Sequence, residues 1–91
     1  MININTKVLV KENYSAVNKE FINYLSENRI EEVYICGFDA DACVLKTAFD
    51  LFERNIKVYI LQDYCMSSGG EEYHNAAIKV LKRSIGDKFI I

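Results

Sequence analysis

The sequence predicts an α/β fold: a Rossmann-like, mostly parallel sheet in the order βαβαβαβ, with helices packed on it. Three observations predict it. Short apolar runs rich in β-branched residues recur along the chain, and segments with helical apolar spacing separate them. The connections are short, with no proline and only four glycines in 91 residues. Right-handed helical crossovers between such strands make them parallel.

Thr6–Lys11 reads as the first strand, with Val8 and Val10 as its β-branched positions. From about Ser15 to Asn28, the residues Val17, Phe21, Tyr24 and Leu25 recur at helical spacing, with Ser15 as N-cap. Glu32–Phe38 is a near-continuous apolar run, the pattern of a strand covered on both faces. A second helix is expected from about Ala42 to Arg54, burying Val44, Ala48, Leu51 and Phe52, with Asn55 as its left-handed stop. Lys57–Gln62 makes the third strand. The last helix starts at a capping box, Ser68-Gly-Gly-Glu71, and runs to about Ser84 with Tyr73, Ala77, Val80 and Leu81 as its buried stripe. Lys82 and Arg83 suit the negative end of its dipole and Gly86 ends it. Lys88–Ile91 completes the sheet as a short last strand.

Composition bounds the function. At 51% hydrophobic and 26% charged, the chain can bury one core and is expected to form a single domain over residues 1–91. Eleven Lys+Arg against thirteen Asp+Glu leave a net charge of -2, without the basic surplus of a nucleic-acid module. No apolar run approaches the roughly 18 residues of a spanning helix, so no membrane is expected. The opening Met1–Lys7 lacks the basic head and long apolar stretch of a signal peptide. A soluble cytoplasmic protein is the expectation. Cys36, Cys43 and Cys65 form no Cys-x-x-Cys pair, and His74 is the single histidine, so neither a disulfide framework nor a structural zinc site is expected.

In parallel sheets, ligands bind beyond the carboxyl ends of the strands. The strand-to-helix loops place Lys11, Asp39, Asp41, Cys43 and Asp63 along that edge. Cys43 falls in the first turn of a helix, where the dipole and free N–H groups favour thiolate, the nucleophilic form. The same N–H groups can stabilise an oxyanion. The competing reading of Cys43 is a small apolar residue filling a strand–helix junction. Lys11 can act as a cationic neighbour for a thiol, although alone it reads as a solvated strand end. Alone, Asp63 reads as a turn-former, His74 as a helix-start residue with a local hydrogen bond, and Cys36 and Cys65 as inert.

The run Tyr34-Ile-Cys-Gly37-Phe-Asp-Ala-Asp-Ala-Cys43-Val44-Leu-Lys-Thr47-Ala48 resembles the signature of the isochorismatase-like cysteine hydrolases, relatives of nicotinamidase and carbamoylsarcosine amidase. Val10-Lys11-Glu-Asn-Tyr14-Ser15-Ala16 resembles their lysine segment, and Gln62-Asp63, Ser67 and His74-x-x-Ala77 follow their C-terminal pattern. The likeness runs from about Lys7 to Gly86. It implies that Cys43 is the nucleophile and Lys11 the triad lysine. It also implies a non-proline cis peptide at Phe38–Asp39 and an oxyanion hole made by the N–H groups of Asp39 and Cys43. The implied reaction cleaves an amide C–N bond of a small molecule through a thioester, releasing ammonia or an amine, with no cofactor. Ala40 stands where many relatives have Thr.

The resemblance also sets expectations by what it leaves uncovered. The family's triad takes an aspartate from its first strand, and here the first aspartate is Asp39. The family's metal ligands, where present, belong to that same N-terminal half, so no metal is implied. The chain thus resembles the C-terminal half of a three-layer α/β/α sandwich, and its hydrolysis is expected to be impaired, since general base catalysis is typically worth roughly 10²–10⁴-fold. An open strand edge would pair with another chain, giving a homo-oligomer or a complex with a partner supplying the missing N-terminal half. An alternative is a catalytically inactive, truncated hydrolase fragment acting only as an oligomerising α/β domain. A minor alternative is a DxD-type phosphotransferase, with Asp39 as nucleophile and Asp41 as acid/base. Against it, Gly37-Phe38 intervenes after the strand and Cys43 replaces the usual Thr or Val.

Overall fold

Two parallel strands carry the architecture, β1 (Glu32–Phe38) and β2 (Lys57–Met66). The computed structural model describes residues 7–91. The remaining elements are helix α1 (Lys19–Glu27), a π-helical turn (Ala40–Val44) running into α2 (Leu45–Glu53), α3 (Glu71–Ser84) and a 3₁₀ turn (Asp87–Phe89). The α/β class and the parallel pairing expected from the sequence are both present, with α2 as the crossover between the strands. Among the described residues no helix is long and apolar enough to cross a membrane.

Strand register explains which side chains are buried. Val33 pairs with Val58 and Ile35 with Ile60, so these four share one face of the sheet. That face packs into a core of Val44, Ala48 and Leu51, Ala77, Ile78, Leu81 and Ile85, with Leu25 joining from α1. Tyr34 and Tyr59 pair on the opposite face, where their rings stack at 4.8 Å and Phe89 leans on Tyr59 at 5.3 Å. The rest of that face is open. Tyr34 is 54% and Phe38 71% exposed, so the described residues cover β1 on one side only, where the apolar run predicted two.

Several elements differ from expectation for identifiable reasons. Thr6, the start of the expected first strand, lies outside the described residues. Lys7–Lys11 make no ladder, and Val8 and Val10 are exposed, because β-propensity forms a strand only where a neighbour pairs with it. Helix α1 starts at Lys19 rather than near Ser15. Asn18 caps it through Oδ1, which accepts the Phe21 N–H at 2.9 Å, while the Ala16 N–H is already donated to Thr47 Oγ1. The second helix ends as predicted: Asn55 is left-handed at φ 62°, and the Asn55 and Ile56 N–H groups close on Phe52 and Leu51 carbonyls. Phe52, however, is exposed, and Thr47 takes the buried place.

The capping box does not form. Gly70, at φ 107°, precedes α3 without a side-chain cap, because Ser68 is engaged elsewhere. The α3 stripe is Ala77, Ile78 and Leu81, while Tyr73 and Val80 face solvent. The expected last strand reduces to a single parallel bridge, Ile60 with Ile90, since residues Asp87–Phe89 coil into the 3₁₀ turn.

Candidate active site

A mismatch between the two strands shapes the site. From Ile35↔Ile60 to Gly37↔Cys65, β1 advances two residues and β2 five, so β2 bulges between the pairs. Gly37 sits opposite the bulge at φ 121°, a conformation open to glycine and rarely adopted by other residues. The Phe38–Asp39 peptide that follows is cis, as the resemblance implied. The Asp39 carbonyl then accepts the N–H groups of Ala42 at 3.1 Å and Val44 at 3.0 Å, curling the chain into the π-helical turn. Ala40 and Val44 anchor this turn in the core, which leaves Cys43 between them half-buried at the surface.

Lys11 reaches the sulfur from 32 positions earlier in the chain. Its Nζ lies 3.7 Å from Cys43 Sγ and donates to the Asn13 carbonyl at 2.8 Å. Two ties hold its segment in place: Asn18 Nδ2 donates to the Val10 carbonyl at 3.3 Å, and the Ala16 N–H donates to Thr47 Oγ1 at 2.9 Å. Thr47 lies four residues after Cys43, so the second tie lands about one helical turn beyond the sulfur. Beside the loop opens a hollow walled by Asn13, Tyr14, Asp41, Ala42 and Lys46, among others.

The turn also holds two carboxylates, and each is bound by a serine of the β2–α3 loop. Asp41 Oδ1 accepts the Ser67 hydroxyl at 2.6 Å. Asp39 accepts twice from Ser68, its N–H at 2.8 Å and its hydroxyl at 2.9 Å. The Ala42 and Val44 N–H groups are taken by the Asp39 carbonyl. The Asp39 and Cys43 N–H groups have no acceptor outside the regular helix and strand ladders among the described residues.

Of the sequence-predicted residues, the structure brings Lys11, Phe38, Asp39, Asp41 and Cys43 to one loop cluster. Asp63 is left out: β2 runs on to Met66, and Asp63 lies exposed in its bulged stretch. Cys36 is exposed on the open face of β1, and Cys65 lies inside β2, buried, with its thiol on the Leu61 carbonyl at 3.4 Å. Burial pushes the Cys65 thiol up from its ordinary value, against a smaller lowering by the Gly37 backbone. His74 donates its backbone N–H to the Gly70 carbonyl at 3.1 Å, and its Nδ1 is buried without a partner. Among the described residues, no group of three or more His, Cys, Asp or Glu could hold a metal ion. Sequence reasoning missed the roles of Thr47, Ser67 and Ser68. Ser68 carried a signal, but a capping box and a bond to a distant carboxylate ask for the same residue type.

The family described as "Isochorismatase domain" matches residues 2–88. Isochorismatase family protein 2A of Dictyostelium discoideum is 34% identical over 82 residues, covering 88% of this chain and 40% of that protein. Isochorismatase domain-containing protein 2 of Homo sapiens is 38% identical over 42 residues, covering 46% of this chain and 20% of that protein. Among solved structures, a nicotinamidase from Bacillus subtilis superposes with TM-score 0.76 at 33% identity, over 82% of this chain and 41% of that one. A putative MAR1 ribonuclease from Leishmania major superposes with TM-score 0.82 at 20% identity, over 91% of this chain and 42% of that one, a likeness of fold alone. The chain spans about two fifths or less of the length of these proteins.

Proposed function

The chain belongs to the isochorismatase family, and on that premise we propose that it is a cysteine hydrolase segment cleaving an amide C–N bond of a small molecule through a thioester on Cys43. The observation that carries this reading is the Lys11 ammonium facing the Cys43 sulfur at 3.7 Å, beside a turn rich in backbone N–H groups. The sulfur, as thiolate, attacks the amide carbonyl carbon. The N–H groups of Asp39 and Cys43 receive the oxyanion of the tetrahedral intermediate. Collapse breaks the C–N bond, a proton goes to the leaving nitrogen, and a thioester remains. Water then hydrolyses the thioester, releasing a carboxylate and returning the sulfur. Lys11 stabilises the sulfur anion before attack and after release.

Proton transfer needs an acid–base group, and no Asp or Glu precedes Lys11 in the sequence. These 91 residues alone therefore hydrolyse slowly, and a carboxylate from a preceding segment or a partner chain raises the rate by roughly 10²–10⁴-fold. The open face of β1, with Tyr34 and Phe38, is where a second copy or that partner docks. Three free thiols suit a reducing, cytoplasmic setting. Likeness to the nicotinamidase makes nicotinamide the first substrate to try.

The test is ammonia release from nicotinamide and a panel of small amides, comparing the chain with Cys43→Ala. A slow release that Cys43→Ala abolishes supports the reading. Equal rates across the panel overturn it and favour a non-catalytic, oligomerising α/β domain. The phosphotransferase reading is disfavoured, because both oxygens of Asp39, its nucleophile, accept hydrogen bonds from Ser68.

A further inference from the structure

We propose that the side chains of Asp39 and Ser68 form a positioning clasp that aims the backbone N–H groups of the nucleophile turn at the developing oxyanion; the inference rests on the hydrolase reading above. The Asp39 carboxylate is held at both oxygens, by the Ser68 N–H at 2.8 Å and the Ser68 hydroxyl at 2.9 Å. A two-point bond fixes orientation as well as distance, which a single hydrogen bond to a rotating carboxylate does not. Residue 39 is the pivot of the turn: its carbonyl accepts the N–H groups of Ala42 and Val44, and its own N–H is one of the two assigned to the oxyanion. Rotation of residue 39 would move both together.

A second bond works alongside the first. Ser67 donates its hydroxyl to Asp41 Oδ1 at 2.6 Å and accepts the Gly69 N–H at 3.1 Å, so the β2–α3 loop is fastened to the turn by adjacent serines. Among the described residues neither serine hydrogen-bonds to Lys11 or Cys43, so they act on the site through the turn. The clasp also explains why Ser68 leaves the α3 cap to Gly70, which has no side chain to cap with. An oxyanion donor works only where the charge develops, so small misplacement is expensive in rate.

Two reactions of one sulfur separate aim from nucleophilicity. Acetylation by p-nitrophenyl acetate passes through a tetrahedral oxyanion: the Cys43 sulfur bonds to the acetyl carbon and p-nitrophenolate leaves, giving a thioester. Alkylation by iodoacetamide displaces iodide directly and forms no oxyanion. Both products are read on the Cys43 peptide by mass, in the full chain. Asp39→Ala is expected to slow acetylation by about 10- to 100-fold while leaving alkylation within about twofold. Ser68→Ala keeps its N–H and is expected to lose about three- to tenfold in acetylation only. Asp39→Asn retains an acceptor for the Ser68 N–H and restores most of the rate. If both alanine variants acetylate as fast as the parent, or if acetylation and alkylation fall together, the clasp is overturned and the hydrolase reading stands. If the parent's Cys43 is not acetylated at all, the hydrolase reading fails and the inference with it.

Discussion

The Lys11 ammonium stands 3.7 Å from the Cys43 sulfur, although 32 positions separate the two residues and Lys11 belongs to no helix or strand. Its placement comes from tethers around it. Attraction at an exposed site of this kind is modest and screened by salt. Lys11→Met is therefore expected to slow iodoacetamide alkylation of Cys43 by about two- to fivefold at low salt, with the difference shrinking as salt screens the charge. Stopped alkylation with peptide mass mapping reads it; an unchanged rate at low salt would mean the ammonium does not act on the sulfur.

Thr47 is the tether that sequence reading assigned to no role. It is buried at 7% exposure, and its Oγ1 accepts the Ala16 N–H at 2.9 Å. Thr47→Val keeps the shape and removes the acceptor of that half-buried N–H, which costs about 0.5–1.5 kcal/mol. The urea midpoint should fall accordingly, and Cys43 alkylation should drop towards the Lys11→Met rate as the lysine segment loosens. Thr47→Ser should retain both properties.

Gly37 is required by its backbone rather than by space. A Cβ there meets nothing within 4 Å, but φ is 121°. Gly37→Ala should cost about 1–3 kcal/mol through backbone strain alone. The thermal midpoint checks this, and no loss would mean the β2 bulge can shift to relieve the strand.

Cys65 gives a pH dependence with a definite sign. Burial raises its thiol above the ordinary value of 9.0, so the folded chain keeps its proton where the unfolded chain releases it. The folded state then binds more protons, and stability falls as pH rises beyond the unfolded value. The stability Cys65 contributes is fully present below that value and lost above it. Cys65→Ala should flatten this alkaline decline in urea titrations run from neutral to alkaline pH; an identical decline would assign it to other groups.

The sequence carried the fold class because strand and helix periods are local. Glu32–Phe38 was legible to the residue, and Asn55 as a helix stop follows from its tolerance of positive φ. What lay hidden was non-local. The strand pattern at Val8 and Val10 needs a pairing neighbour that the described residues do not supply. The β2 bulge cannot be read from Leu61–Tyr64 alone, because it is a relation to β1. Ser68 looked like a cap because a hydroxyl near a helix start bonds either to backbone or to a carboxylate 29 residues away, and only the folded chain decides. The candidate site was legible through its motif, while the serines that fasten it were not.

The most direct test of the account is competitive labelling of the three thiols. With iodoacetamide at limiting concentration and neutral pH, mapped by peptide mass, Cys43 should be labelled first. It should lead exposed Cys36 despite being half-buried, with Cys65 last. Labelling that follows exposure alone, with Cys36 ahead of Cys43, would contradict the claim that the fold activates this sulfur.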